Sequence, residues 1–261
     1  MRSALDISFR DQNHMIYYTA DLHFGYAPII YNTARPFSSV EEMDETLIKN
    51  WNDTVDDDDT VYIVGDFSYN NGKVPLQYLS RLKGHKHLIR GNHDTCLEHQ
   101  ELFYEYLESV TDLWETEDGD DHVILCHYPI IHNKRSYMVH GHIHNQRGQG
   151  YEMLKELPHV LNAGVDVNFY RPVTLKELIR NNEMYYSEKY PDLFPVPPVP
   201  DNNVPGAMPR RADFRPLPVR ETVRNLISTP LPDGSSRIPP VDAPNLSVRS
   251  GQINSETGNG R

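Results

Sequence analysis

His87-Leu88-Ile89-Arg90-Gly91-Asn92-His93-Asp94 is the stretch that decides the fold. A short apolar run stops at a glycine, and three polar, chemistry-bearing residues follow at once. Short apolar or β-branched runs closed by turn residues read as buried strands. The same punctuation recurs along the chain. Residues 15–20 end at Asp21-Leu22-His23, and residues 61–65 end at Asp66. Val123-Ile124-Leu125-Cys126 ends at His127, and Tyr137-Met138-Val139-His140 runs into Gly141-His142-Ile143-His144. Val160-Leu161 and Val165 suggest a last strand. Between these runs, Val40, Met43, Leu47 and Trp51 repeat at helical spacing, with Ser39 and Glu42 offering a capping box. Leu97 through Leu107 reads as a second helix, and Leu175, Leu178 and Ile179 mark a third after Thr174. Strands alternating with helices predict an α/β domain.

Composition divides the chain of 261 residues in two. All 13 histidines fall within residues 1–159, whereas 13 of the 20 prolines fall within 195–261. Of the charged residues, 17 basic and 31 acidic precede residue 195, and 8 basic and 6 acidic follow it. The reading is a domain over 1–194 and a Pro/Arg-rich tail over 195–261 that buries too little apolar surface to order itself. Val196-Pro197-Pro198-Val199-Pro200 favours polyproline II and could dock a protein partner's aromatic groove. No run of about 18 apolar residues exists, so no membrane helix is expected. The charged N-terminal stretch does not read as a secretory signal. Two cysteines, Cys96 and Cys126, make no disulfide framework, and a cytoplasmic setting is the expectation. The acidic body argues against binding long polyanions through its overall field.

The donors at the five strand ends are carboxylate or amide oxygens and imidazole nitrogens. That mixture suits Mn, Fe, Zn or Ni better than Ca or Mg. Each piece alone is a common turn or surface pair. Asp21-x-His23, Gly65-Asp66, Gly91-Asn92-His93-Asp94, a lone His127 and Gly141-His142-x-His144, in this order, resemble the calcineurin-like metallophosphoesterase superfamily. The resemblance covers residues 15–144, with residues 165–179 as the closing strand and helix. It implies an α/β fold, a four-layer α/β/β/α sandwich of two mixed sheets, with two divalent metal ions between the sheet ends. Carried over by position, Asp21, His23 and His144 hold the first ion. Asn92, His127 and His142 hold the second, and Asp66 bridges both. The implied reaction is attack by a metal-bridging hydroxide on a small, nucleotide-like phosphomonoester or phosphodiester. Manganese is the ion expected to work best in vitro. His93 would serve the leaving oxygen as catalytic acid, with Asp94 fixing its tautomer. The two ions would supply the positive charge that the acidic body lacks.

Other readings are plainer. Where the family's fuller pattern often has an acid three residues after Gly-Asp, this chain has Tyr69. Arg35 is offered as a phosphate contact, with Arg90, Lys134, Arg135 and Arg171 behind it. Asp56–Asp59 reads as a solvated turn, His85 and His87 as half-exposed strand residues, and Cys126 as a buried small hydrophobe. His140 reads as core or surface, with support of the metal site as its functional alternative. A metal-dependent nuclease and a catalytically quiet scaffold acting through partners are the alternative functions. The eight complete site positions speak against the scaffold, and the charge speaks against a nuclease on long DNA.

Overall fold

The computed structural model describes residues 14–68, 74–94, 104–131, 136–187, 189–190 and 193–194. The expected tail over 195–261, Tyr69, Cys96, Lys134 and Arg135 lie outside the described residues. Two four-stranded sheets carry the domain. The first has the order β1 (Ile16–Thr19), β2 (Thr60–Val64), β3 (His85–Ile89), β4 (Ser109–Thr111). Its described strands are all parallel. The second has the order β5 (Trp114–Asp118), β6 (Asp121–Leu125), β7 (Tyr137–His140), β8 (Val160–Asn162) and is mixed, with only the β5–β6 pair antiparallel. The expectation of two mixed sheets is thus corrected for the first sheet. Its antiparallel neighbour, Val173 against Tyr18, forms a single bridge and no strand.

Side-chain alternation builds the layers. In β2, Val61 and Ile63 face one cluster, while Tyr62 and Val64 face another. The first cluster lies under α2 (Val40–Thr54), whose Met43, Leu47 and Trp51 are fully buried, and under α3 (Val74–Leu79) through Tyr78 and Leu79. The second fills the space between the sheets, joining Tyr18, Val64 and Ile89 to Val123, Leu125, Val139 and Leu161. Behind the second sheet, Met138 and Val160 pack with Leu154 of α4 (Gln149–Leu154) and Tyr186 of α5 (Leu175–Tyr186). Each such buried side chain contributes roughly 1.5–3 kcal/mol of transfer free energy. The short α1 (Pro28–Asn32) completes the helices.

The caps follow the sequence. Ser39 accepts from the Glu42 amide, while the Glu42 carboxylate takes Ser38 rather than closing a full box. Thr174 and Glu177 make the reciprocal capping box at α5. Residues 104–107, expected as the end of a helix, are turn and irregular backbone, and 97–103 lie outside the described residues. Strands β4 and β5 are unexpected. β5 alternates intermediate and exposed positions and carries Glu115 and Glu117 outward, so it has no apolar run to announce it.

The parallel pairing has one consequence for function. β1, β2 and β3 end together, as do β6, β7 and β8, and Ala20 bridges Gly164 in parallel to join the two sheets at their carboxyl edges. Ligands collect at such edges in α/β sheets.

Candidate metal centre

The chain turns sharply after β1, β2 and β7 at that edge. Asp21, His23, Asp66, His142 and His144 all have left-handed backbones, with φ of 56, 52, 53, 74 and 50°. A non-glycine residue held there costs energy, and such strain gathers at functional sites. Interlocked backbone bonds hold it in place. The amides of Asp21, His23 and Phe24 donate to the carbonyls of Gly65, Asp66 and Phe67 at 3.0 Å, and Gly141 donates to His127 at 3.1 Å.

Two groups of ligand-type side chains result. Asp21, His23 and His144 form one, and Asp66, His127 and His142 the other. Within each group, one donor atom from every residue lies within 4.8 Å of the others. Asp66 stands between them, its Oδ2 3.5 Å from His23 Nε2 and 3.4 Å from His127 Nε2. Asn92 Oδ1 lies 3.1 Å from His127 Nε2 and 2.9 Å from His142 Nδ1. His93 lies 4.0 Å from the same Asp66 oxygen through its Nε2, and its side chain is 34% exposed. Its amide donates to Asp66 Oδ1 at 2.9 Å.

The chemistry of these atoms fits divalent cations. Asp21 Oδ2 and both ring nitrogens of His23 are buried and have no hydrogen-bond partner. Leaving such atoms unmet costs roughly 1–3 kcal/mol each, which a cation between them would offset. Burial pushes the His23 and His142 imidazoles below their ordinary range, toward the neutral form that ligates metal. At the second group, burial opposes the Asp66 charge, but the His127 hydrogen bond and charge outweigh it and hold the carboxyl at about 2. His127, despite burial, is raised to about 9, chiefly by Asp66.

Asp94 corrects an expectation. Its buried carboxylate accepts from the amides of Asp66, Phe67 and Gly91 at 2.8–2.9 Å. It clamps the two ligand loops together, a different task from orienting the His93 ring. Burial raises it to about 6 even so. Arg35 is a second correction. Its side chain is 0% exposed, and its guanidinium pairs with Asp166 through two bonds, at 2.8 and 3.1 Å. It also donates to the carbonyls of Asp21 and Leu22. No donor face is left to meet a substrate phosphate. Arg90 pairs with Asp112 and Arg171 with Glu177.

The remaining sequence readings are settled by position. His140 is buried, with Nδ1 on the Gly141 carbonyl, and burial lowers it to about 4. His85 and His87 pair with Glu108 and Ser109 on a partly exposed face. Cys126 is half-buried beside the outer core cluster. Asp56, Asp57 and Asp58 are exposed, while Asp59 is buried and accepts from the Met15 and Asp56 amides.

Asp166 is the residue that sequence reasoning missed. It is fully buried, and its Oδ2 takes His144 Nδ1 at 3.0 Å as well as Arg35. It follows the last strand within Gly164-Val165-Asp166, and this glycine-then-acid ending is the signal that could have found it. Asn162 supports the same corner by accepting from Gly164 and donating to the His144 carbonyl. Tyr128 was also unflagged. It is 47% exposed, with its ring edge-on to His127 and His142 at centroid distances of 5.2 and 4.8 Å.

Comparison with known proteins bears on the family and the fold. An uncharacterized protein of Methanocaldococcus jannaschii is 36% identical over 170 residues, spanning 63% of this chain and 89% of that protein. The gene 66 protein of Mycobacterium phage L5 is 29% identical over 162 residues, spanning 49% of this chain and 77% of its own length. A protein of unknown function from Aquifex aeolicus, known by crystal structure, shares the fold with a TM-score of 0.52 at 24% identity, covering 64% of this chain and 99% of its own. Residues 14–193 match the calcineurin-like phosphoesterase family, to which the chain therefore belongs.

Proposed function

We propose that the chain is a metal-dependent phosphoric ester hydrolase acting on a small, nucleotide-like phosphomonoester or phosphodiester. One observation carries the reading: two carboxylate–imidazole groups, buried apart from the exposed His142, meet at Asp66 and include partnerless donor atoms at Asp21 and His23. Asp21, His23 and His144 would hold one ion, and Asn92, His127 and His142 the other, with Asp66 facing both. When bound, the ions supply Lewis acidity toward phosphoryl oxygens and lower the pKa of water. The chain's own side chains do the rest. His93, partly exposed beside Asp66, holds a proton at Nε2 for the departing oxygen. Asp94 keeps the Asp66 and His93 loops in register through three backbone bonds. The exposed Tyr128 ring offers an aromatic surface beside the second group, which supports a substrate bearing a base or aryl ring.

Among the described residues, no helix is long and apolar enough to span a bilayer. The test is turnover of aryl phosphomonoesters, aryl phosphodiesters and a nucleotide panel with added Mn, Fe, Zn or Ni. Hydrolysis that EDTA stops is expected. Silence across all metals and substrates would favour the scaffold instead. His93→Ala should keep both ions and lower kcat by about 10²–10⁴-fold. Loss of an ion in that variant would make His93 a ligand and remove its assigned role.

A further inference from the structure

The His144 side chain and the backbone turn that carries Asp21 and His23 meet at one buried ion pair that belongs to neither strand-end motif. Asp166 Oδ2 lies 3.0 Å from His144 Nδ1. Its two oxygens also receive Arg35 Nε at 2.8 Å and Nη2 at 3.1 Å. The same guanidinium reaches past the carboxylate to the backbone of the Asp21 turn. Nη2 donates to the Asp21 carbonyl at 2.6 Å, and Nη1 to the Leu22 carbonyl at 2.9 Å. That turn holds Asp21 and His23 in left-handed conformations, at φ of 56 and 52°. Both Asp166 and Arg35 have 0% exposed side chains.

Each contact has a consequence. A carboxylate on Nδ1 makes His144 donate its proton there, so the lone pair sits on Nε2. Arg35 cancels the charge of Asp166, so the carboxylate orients the imidazole without adding a second uncompensated anion beside Asp21. The bidentate fork fixes direction as well as distance. The two carbonyl contacts brace a strained turn that would otherwise relax. The second group is built differently. His127 Nδ1 meets the Val64 carbonyl at 3.0 Å, and neither Asp166 nor Arg35 touches that group.

We infer that Asp166, held by Arg35, is the positioning residue of the first metal group. It sets the tautomer of His144 and, through Arg35, the turn that aims Asp21 and His23. This rests on the metal reading above, and the test separates the two. Full-length wild type, Asp166→Asn, and the double variant Arg35→Gln/Asp166→Asn are stripped of metal and compared. The double variant matters because Asp166→Asn alone leaves a buried guanidinium without its counter-charge, which by itself can unfold the chain. Mn²⁺ per chain is read by equilibrium dialysis, the spin coupling of bound Mn²⁺ by electron paramagnetic resonance, and folding by thermal melts of the metal-free proteins.

Wild type should hold two coupled ions. A folded variant should lose about 10–100-fold in affinity for one ion, the usual cost of removing such a partner. At the Mn²⁺ concentration that just saturates wild type it should therefore show one uncoupled ion. A folded variant that binds two coupled ions with wild-type affinity overturns the inference and leaves the metal reading intact. A double variant that is unfolded and not restored by Mn²⁺ overturns it too, because the pair is then purely structural. Wild type that binds no Mn²⁺ overturns the metal reading itself.

Discussion

Asp66→Asn is expected to lower metal-dependent turnover by at least about 10³-fold and to strip the protein of tightly bound metal. Asparagine keeps the shape of the side chain and can still accept from the His93 amide. It lacks the charge. Asp66 is the carboxylate between the two groups, 3.5 Å from His23 Nε2 and 3.4 Å from His127 Nε2. Removing it takes an anion from two cation sites at once, a loss of several kcal/mol in transition-state stabilisation, and about 4 kcal/mol is already three decades in rate. The metal-free protein should change as well. Asp66 and His127 hold one another charged, at about 2 and about 9. Without Asp66, the main influence raising His127 is gone. The check is kcat/KM with Mn²⁺, beside the metal content after dialysis. Full turnover with full metal content would remove Asp66 from the centre.

Gly65→Ala is expected to damage the fold and the centre together. Gly65 has φ of +87°, where an L side chain is strained by about 1–2 kcal/mol. Its Cβ would also fall 2.2 Å from His127 Nδ1 and 2.9 Å from the Gly91 Cα. Neither can step aside cheaply. The His127 ring is pinned between the Val64 carbonyl and Asp66, and Gly91 is itself pressed on Asp66. A loss of about 3 kcal/mol is the scale for such overpacking plus strain. In a domain of this size that lowers Tm by roughly 6–12 °C. Gly119→Ala is the control: its φ is also positive, at 62°, but nothing lies within 4 Å of its Cβ. It should lose only the conformational part and keep its metal. Equal losses in the two variants would show that the close packing around His127 is not what Gly65 protects.

The sequence displayed the edge of the sheets more clearly than their middle. Each motif broke an apolar run with a glycine, an acid or, after β6, a histidine, so the ends of β1, β2, β3, β6 and β7 could be read directly. The helix caps at Ser39 and Thr174 were legible because capping is local, confined to residues three apart. β5 was not legible, since one face is solvated and its glutamates mask any alternation. Arg35 and Asp94 were misassigned for a related reason. An arginine near a metal motif looks like a phosphate contact until its partner is known, and that partner is 131 residues away. The three amides that occupy Asp94 belong to backbone that no residue pattern reveals. Asp166 carried a faint local signal in Gly164-Val165-Asp166, but its role depends on burial and on two distant side chains. Local chemistry was readable in the sequence, and the long-range polar pairs that hold it in place emerged only with the fold.

The most direct test of the account is a single titration. Mn²⁺ is added back to metal-stripped, full-length protein while hydrolysis of bis(p-nitrophenyl) phosphate is followed. With two carboxylate–imidazole groups sharing Asp66, turnover should rise from zero and reach its plateau at two equivalents per chain. Turnover that persists in EDTA, or a plateau reached at one equivalent, would contradict a two-ion centre.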